Sequence, residues 1–266
     1  MDIFQAIILG LIQGLSEFLP ISSSGHLALT PMIFNWEDQG LAFDVALHFG
    51  TLIAVIGFFY KEWIAIFCAF FGIQSKLVKE KKYPSHFLLL LIAGTIPAVV
   101  CGLLLEEKAE TVFRDPWVIV GTLTIFGGLL YLADLRAKYS KEVNLITFKD
   151  AILIGFAQAI AIIPGTSRSG VTITAALAMG FSRKGAAKFS FLLSTPVIFG
   201  ATVYKARDIF EVGFGTPEII GIIVSAVSGF FAIAGLLKFV EKVSYKIFFW
   251  YRLVIAIAIA LLILGR

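Results

Sequence analysis

The chain has 266 residues, of which 59% are hydrophobic and only 15% are charged, and its mean hydropathy is +0.93. Soluble domains carry roughly 25% charged residues, so this chain has too few polar side chains to cover a water-facing surface, which excludes a soluble globular protein. The formal net charge of +4 comes from basic residues scattered among short polar segments, which indicates membrane topology rather than a nucleic-acid partner.

The first half of the chain contains one interrupted apolar segment followed by three uninterrupted ones. The stretch 2–19 ends at Pro20 and the run Ser22-Ser23-Ser24-Gly25, after which a short apolar run continues to about residue 33. A helix needs roughly 20 apolar residues to cross about 30 Å of hydrocarbon. Three membrane spans are therefore predicted, at 41–60, 86–105 and 117–134.

The second half repeats this plan after a polar linker at 136–150. An apolar stretch at 151–163 is broken by Pro164–Gly170, a short run continues to 181, and spans are predicted at 186–204, 217–237 and 247–264. Residues match at an offset of 145: Gly10 with Gly155, Gln13 with Gln158, Ser22 with Ser167, Ser24 with Ser169, and Gly25 with Gly170. We therefore predict two repeats, 1–135 and 151–266, within one membrane domain.

Loop charge predicts how these repeats are oriented. Cytoplasmic loops collect Lys and Arg, and the alternate segments 61–85, 135–149, 182–188 and 238–246 hold fifteen of them, against five in the opposite loops and the C-terminus. This alternation requires that each of the segments 2–33 and 151–181 enters and leaves the membrane on the same side. The predicted fold is an all-α polytopic membrane protein with six spans and two re-entrant helical hairpins, the second repeat being inverted and the linker 136–150 cytoplasmic.

Both interrupted segments predict a polar cavity near the midplane. Each restarts a helix with hydroxyl residues and glycine, so free backbone N–H groups and the positive end of a helix dipole favour an anion such as phosphate. Glu17 precedes the first break, and Ser23 and His26 follow it. Arg168 is equivalent to Ser23 by the repeat offset, so these four ionisable or hydroxyl side chains are expected to share one pocket.

Other titratable or reactive residues are interpreted as structural. His48 and His86 lie near predicted span ends, where packing is the usual role, and Asp44 is compatible with a cap. Cys68 and Cys101 lie in or beside apolar stretches without metal-ligand spacing. None of these residues is included in the predicted site.

The runs Gln13–His26 and Pro164–Gly170 resemble the two signature motifs of the bacterial undecaprenyl-diphosphate phosphatases, also called bacitracin-resistance proteins. Those motifs are a Glu/Gln-xxx-Glu segment that leads into PxSSSGH, and a PGxSRSG loop. The resemblance covers essentially the whole chain. It implies hydrolysis of C55-isoprenyl diphosphate in the bacterial plasma (inner) membrane, at an outward-facing site, to recycle the lipid carrier for peptidoglycan synthesis. Bacitracin resistance on overproduction is also implied.

The resemblance also implies roles for individual residues. Glu17 is the acidic residue, Ser23 the candidate nucleophile, His26 the histidine and Arg168 the residue that holds phosphate. A divalent cation, Mg²⁺ or Ca²⁺, is implied with Glu17 as its ligand, and Gln13 allows at most an amide oxygen beside it. Further substrate contacts are expected from the two loops: Gln13, Ser22, Ser24, Gly25, Thr166, Ser167, Ser169 and Gly170.

Several alternatives stay open from the sequence. Either Glu17 or His26 could activate Ser23, and a water held by Glu17 could attack directly. Opposed broken helices also occur in secondary transporters, so an anion transporter or lipid-phosphate flippase is the alternative function. The expected partners are the isoprenyl diphosphate and the bilayer. A homodimer is compatible with the sequence.

Overall fold

The structure, a computed structural model, describes residues 1–206 and 215–265 and is helical throughout those ranges except for loops and one isolated β-bridge between Lys141 and Phe181. Large apolar side chains cover the outside of the helices: Ile125, Phe231 and Leu261 are each more than 60% exposed. Two basic residues counted in the loop-charge argument, Arg207 and Arg266, lie outside the described residues. The all-α polytopic fold class is confirmed.

The first half has eight α-helices: α1 Ile3–Phe18, α2 Ser23–Phe34, α3 Gly40–Phe58, α4 Tyr60–Phe70, α5 Lys76–Lys81, α6 Phe87–Leu104, α7 Glu106–Glu110 and α8 Pro116–Arg136. Of these, α1, α2, α3, α6 and α8 fit the predicted segments closely, whereas α4, α5 and α7 lie in predicted loops. The described part of the second half adds α9 Phe148–Ala159, α10 Arg168–Ala178, α11 Arg183–Tyr204, α12 Thr216–Phe239 and α13 Lys246–Leu264.

Five of these helices are long and apolar enough to span a membrane, namely α6, α8, α11, α12 and α13. The sixth predicted span, 41–60, corresponds to α3, which continues into α4 through a bend of 72°. The sequence predicts a loop from residue 61 because Lys61 and Glu62 interrupt the apolar run, whereas the structure restarts a helix there. Spans therefore number five, or six with the bent pair, among the described residues.

The two halves are intertwined through matching helix contacts. Within each predicted hairpin the helices pack on each other, α1 on α2 and α9 on α10. Helix α1 also packs on α12 from the other half, and α9 packs on α6. A Cβ at Gly10 would lie 2.6 Å from the Gly221 carbonyl oxygen, and one at Gly155 would lie 2.5 Å from that of Gly94. Glycine is thus needed at equivalent helix crossings, which explains the sequence match between residues 10 and 155.

One polar cluster fixes helix ends at the face predicted to be cytoplasmic. The Asp134 carboxylate, 2% exposed, accepts hydrogen bonds from Arg183 at the start of α11 and from Ser244 and the Tyr245 N–H before α13. All of its donors come from the ends of other elements or from the linker. The cluster therefore connects α8, α11 and α13.

Candidate active site

The two chain breaks have the same unusual backbone geometry. Ser22 and Ser167, the N-caps of α2 and α10, have φ angles of 75° and 72°, a conformation that is uncommon for residues other than glycine. In each, the serine Oγ accepts a hydrogen bond from the N–H three residues later, that of Gly25 or Gly170. The predicted equivalence of the two loops therefore extends to their backbone conformation.

The two loops also touch each other. The Gly165 N–H donates to Ser22 Oγ at 3.0 Å, and the Ser169 hydroxyl donates to the Leu19 carbonyl oxygen at 3.2 Å. These contacts bring the N-termini of α2 and α10 together, where Ser23 and Arg168 are the first helical residues and both line one cavity. Two positive helix ends thus face the same space.

A buried carboxylate connects these two helix ends. Glu17, at the end of α1 and 5% exposed, accepts a hydrogen bond from Ser23 Oγ at 2.6 Å on Oε2. Its Oε1 accepts from Arg168 Nη2 at 2.7 Å, and Arg168 Nη1 donates to the Ser190 carbonyl oxygen at 3.0 Å. The predicted grouping of carboxylate, hydroxyl and guanidinium is therefore present, with the carboxylate between the other two.

A histidine excluded by the sequence interpretation also contacts Glu17. His48 Nε2 of α3 lies 3.3 Å from Glu17 Oε2, and both His48 and Asp44 line the cavity. The sequence interpretation left both residues outside the predicted site, whereas the structure places them in the cavity lining. The signal that could have found them is their spacing of four on one helix, which places two ionisable groups on one face inside a predicted span. His86, by contrast, stacks on Phe148 and is absent from the cavity lining.

His26 faces away from Ser23. Its Nδ1 lies 2.7 Å from the Ser22 carbonyl oxygen, which can only accept, so Nδ1 carries the proton and Nε2 accepts from Tyr251 Oη at 2.9 Å. The imidazole also stacks on the Tyr251 ring, and His26 is not among the cavity-lining residues. Of the two candidate bases, Glu17 is the one in contact with the serine.

The other predicted substrate contacts divide into two groups. Ser24 lines the cavity, as Glu17, Ser23 and Arg168 do. The other seven are absent from the cavity lining. Among them, the Ser22 and Ser167 hydroxyls cap their helices, and Thr166 Oγ1 is buried without a partner. Direct contact of this second group with substrate stays a prediction.

The cavity encloses about 490 Å³ and combines polar and apolar walls. Its lining includes the Glu17 cluster and also Arg114, Glu106 and Lys205. Glu106 accepts from Tyr204 and pairs with Lys205, and Arg114 pairs with Asp38 and Asp44. Helices α6 and α11 contribute small or aliphatic side chains to the lining: Ala98, Val99, Gly102, Val197, Ile198 and Ala201.

The residues predicted to hold a divalent cation are only a partial ligand set. Both Glu17 oxygens accept hydrogen bonds from protein donors, one of them from Gln13 Nε2, while Gln13 Oε1 is buried without a partner. Within residues 1–206 and 215–265, no group of three His, Cys, Asp or Glu could hold a metal ion. One carboxylate and one amide oxygen fit Mg²⁺ or Ca²⁺ only when phosphate oxygens and water complete the shell.

The fold and site define a class of protein: a polytopic helical membrane enzyme whose cavity is equipped to bind a phosphorylated group. A family profile, that of the bacitracin resistance protein BacA, matches residues 6–258. The chain belongs to the bacitracin resistance protein BacA family.

Relatives align over nearly the full length of the chain. A protein named undecaprenyl-diphosphatase from Pelotomaculum thermopropionicum is 49% identical over 266 residues, covering 100% of this chain and 98% of its own. Proteins of the same name from Elusimicrobium minutum and Moorella thermoacetica are 48% and 44% identical, with 96% of each chain covered in both comparisons. The family resemblance stated from the two motifs is confirmed.

Proposed function

We propose that this protein hydrolyses undecaprenyl diphosphate to undecaprenyl phosphate and inorganic phosphate. The observation that carries the proposal is the 2.6 Å hydrogen bond from Ser23 Oγ to Glu17 Oε2 at the N-terminus of α2. A neutral serine is a weak nucleophile and needs an adjacent base, and Glu17 is in position to be that base. The shared name of the relatives supports the same substrate.

The reaction follows from this contact in two displacements. Ser23 Oγ bonds to the terminal phosphorus as its proton passes to Glu17, and the bond from that phosphorus to the bridging oxygen breaks. Glu17 returns the proton to the leaving lipid monophosphate. Water then attacks the phosphoserine, giving one proton to Glu17, and Ser23 leaves with that proton, which regenerates the site and releases phosphate.

Arg168 and the two helix ends bind the charge that the phosphate brings. The protein uses two guanidinium N–H groups, toward Glu17 and the Ser190 carbonyl, so three of the five remain for phosphate oxygens. The first N–H groups of α2 and α10 have no partner within their own helices. Donors placed before the reaction stabilise the charge that spreads over the phosphoryl oxygens in the transition state.

A divalent cation, Mg²⁺ or Ca²⁺, is part of the proposal. Glu17 and Gln13 Oε1 would hold it, together with phosphate oxygens and water. When bound, the cation would offset the negative charge of the diphosphate.

The apolar part of the cavity supports a lipid substrate. Small side chains such as Ala98, Gly102 and Ala201 line the wall between α6 and α11, where an isoprenyl chain would meet apolar surface. We further propose that the protein lies in the bacterial plasma membrane with the cavity open to the outside, because Glu106, Arg114 and Lys205 fall in the loops with fewer basic residues. The product would re-enter peptidoglycan synthesis, and bacitracin resistance on overproduction would follow.

Hydrolysis is favoured over transport because a transporter needs binding groups but no activated hydroxyl. Purified protein in detergent micelles has no second compartment, so transport gives no signal there. We expect it to release inorganic phosphate from undecaprenyl diphosphate, and a Glu17→Ala preparation to release none above background. Folded protein that releases no phosphate in micelles, yet moves a lipid phosphate across sealed vesicles, would overturn the proposal in favour of a flippase.

A further inference from the structure

Three consecutive carbonyl groups of the second loop are held by side chains from two spans. Thr122 Oγ1 of α8 lies 2.7 Å from the Pro164 carbonyl oxygen, closer than either carbonyl oxygen of its own helix, at 2.9 and 3.1 Å. Arg252 Nη2 of α13 donates to the carbonyl oxygens of both Gly165 and Thr166. The loop that precedes Arg168 is thus held by hydrogen bonds from two side chains that do not line the cavity.

Arg252 is an unusual residue to find in this position. Its side chain is fully buried, and its Nε and Nη1 have no hydrogen-bond partner. No carboxylate of the described residues forms an ion pair with it. A buried charge without a counter-ion is costly, so stability alone does not account for it. Its only hydrogen bonds among the described residues go to the loop.

The peptide bond between Pro164 and Gly165 shows how these hydrogen bonds orient the loop. In a trans peptide the C=O and the following N–H point in opposite directions. Here the C=O points to Thr122, and the Gly165 N–H points to Ser22 of the first loop at 3.0 Å. The carbonyl oxygens are thus directed to the spans, and the amide N–H is directed to the first loop.

The loop lies close against both side chains. A Cβ at Gly165, where φ is +85°, would lie 2.1 Å from Thr122 Oγ1. A Cβ at Gly170 would lie 3.2 Å from Arg252 Nη1. Two motif glycines therefore allow the close approach of Thr122 and Arg252, neither of which lines the cavity.

We propose that Thr122 and Arg252 are positioning residues that hold the Pro164–Thr166 carbonyls outward, so that Arg168 and the N-terminus of α10 bind the phosphate. The inference rests on the proposed function. It assigns to this site two residues from the third span of each half that make no contact with substrate.

The main test compares Thr122→Val with Thr124→Val. Both threonines are half-buried in α8 and bond to a carbonyl of their own helix, but Thr124 Oγ1 reaches only Val120. The two variants should melt at similar temperatures. We expect Thr122→Val to lower kcat/KM for the lipid diphosphate about tenfold, the scale of one hydrogen bond, and Thr124→Val to stay within about twofold of wild type.

Binding of inorganic phosphate gives a second readout that needs no turnover. Its dissociation constant, measured by calorimetry on the purified protein in detergent, should rise about tenfold in Thr122→Val and stay unchanged in Thr124→Val. Equal phosphate binding and equal kcat/KM in the two variants would overturn the inference. Wild-type protein that neither binds phosphate nor releases it from the lipid would instead overturn the proposed function.

Arg252→Lys is a second variant that tests the inference independently. A lysine can donate to one carbonyl but lacks the planar group that donates to two. We therefore expect kcat/KM to fall about 100-fold, which is the effect of misplacing a catalytic group by about 1 Å. The double variant with Thr122→Val should lose less than the product of the two single losses, because both act on one loop. Independent, multiplicative losses would contradict a shared positioning role.

Discussion

The Ser23→Ala variant is expected to release phosphate from undecaprenyl diphosphate at least about 10⁴-fold more slowly than wild type, the scale on which serine hydrolases lose activity without their nucleophile. The change removes the oxygen that is 2.6 Å from Glu17, while Arg168 and the helix N-termini stay in place to bind substrate. The loss should therefore appear in kcat, with KM within a few-fold of wild type. Steady-state phosphate release in detergent measures both.

Ser16→Ala is the matched control for this change. Ser16 is also buried near the end of α1, but its hydroxyl donates to the Ile12 carbonyl of its own helix. We expect this variant to keep wild-type kcat within about threefold. If Ser23→Ala retained more than about a tenth of wild-type kcat, a water held by Glu17 would be the nucleophile instead.

Glu17→Gln is expected to lower kcat by about 10²–10⁴-fold, the contribution of a positioned general base. The amide keeps the size of the side chain but cannot take the serine proton. KM should change less than kcat, because the remaining Arg168 N–H groups and the N-termini of α2 and α10 still bind phosphate. Stability should fall, since Arg168 and His48 lose their buried anionic partner.

Glu62→Gln separates the loss of kcat from the loss of stability. Glu62 is also a shielded carboxylate with two cationic partners, Lys81 and Lys188, but it does not line the cavity. We expect its variant to lose thermal stability while keeping kcat within about threefold of wild type. Comparable kcat losses in the two variants would mean that Glu17 acts through folding rather than through proton transfer.

The breaks that create the site are predictable from local sequence. Pro20 and Pro164 each lie beside a run of serine and glycine, a combination that favours a break followed by a new helix start, and non-helical backbone at membrane depth must line a cavity or lie within protein. The repeat offset of 145 also predicts that Arg168 lies opposite Ser23. The place of Glu17 in the site can be predicted as well, because a carboxylate inside an apolar segment needs a partner.

The contacts that refine the site depend on packing between distant segments. His48 meets Glu17 because α3 crosses the end of α1, and His26 turns away because it pairs with Tyr251 of α13. The sequence places the charge of Arg252 at membrane depth, but its acceptors are backbone carbonyls, which leave no trace in side-chain chemistry. The bend between Phe58 and Tyr60 likewise has no proline to mark it.

The stereochemical course of the reaction tests most directly whether Ser23 attacks phosphorus with Glu17 as its base. A lipid diphosphate made chiral at its terminal phosphorus with sulfur and two oxygen isotopes would be hydrolysed by the wild-type protein in water enriched in the third oxygen isotope, and the configuration of the released chiral thiophosphate would be determined. Two in-line displacements, first by Ser23 and then by water, retain the configuration at phosphorus. Retention is the expected result. Inversion would show a single displacement by water and would contradict Ser23 as the nucleophile.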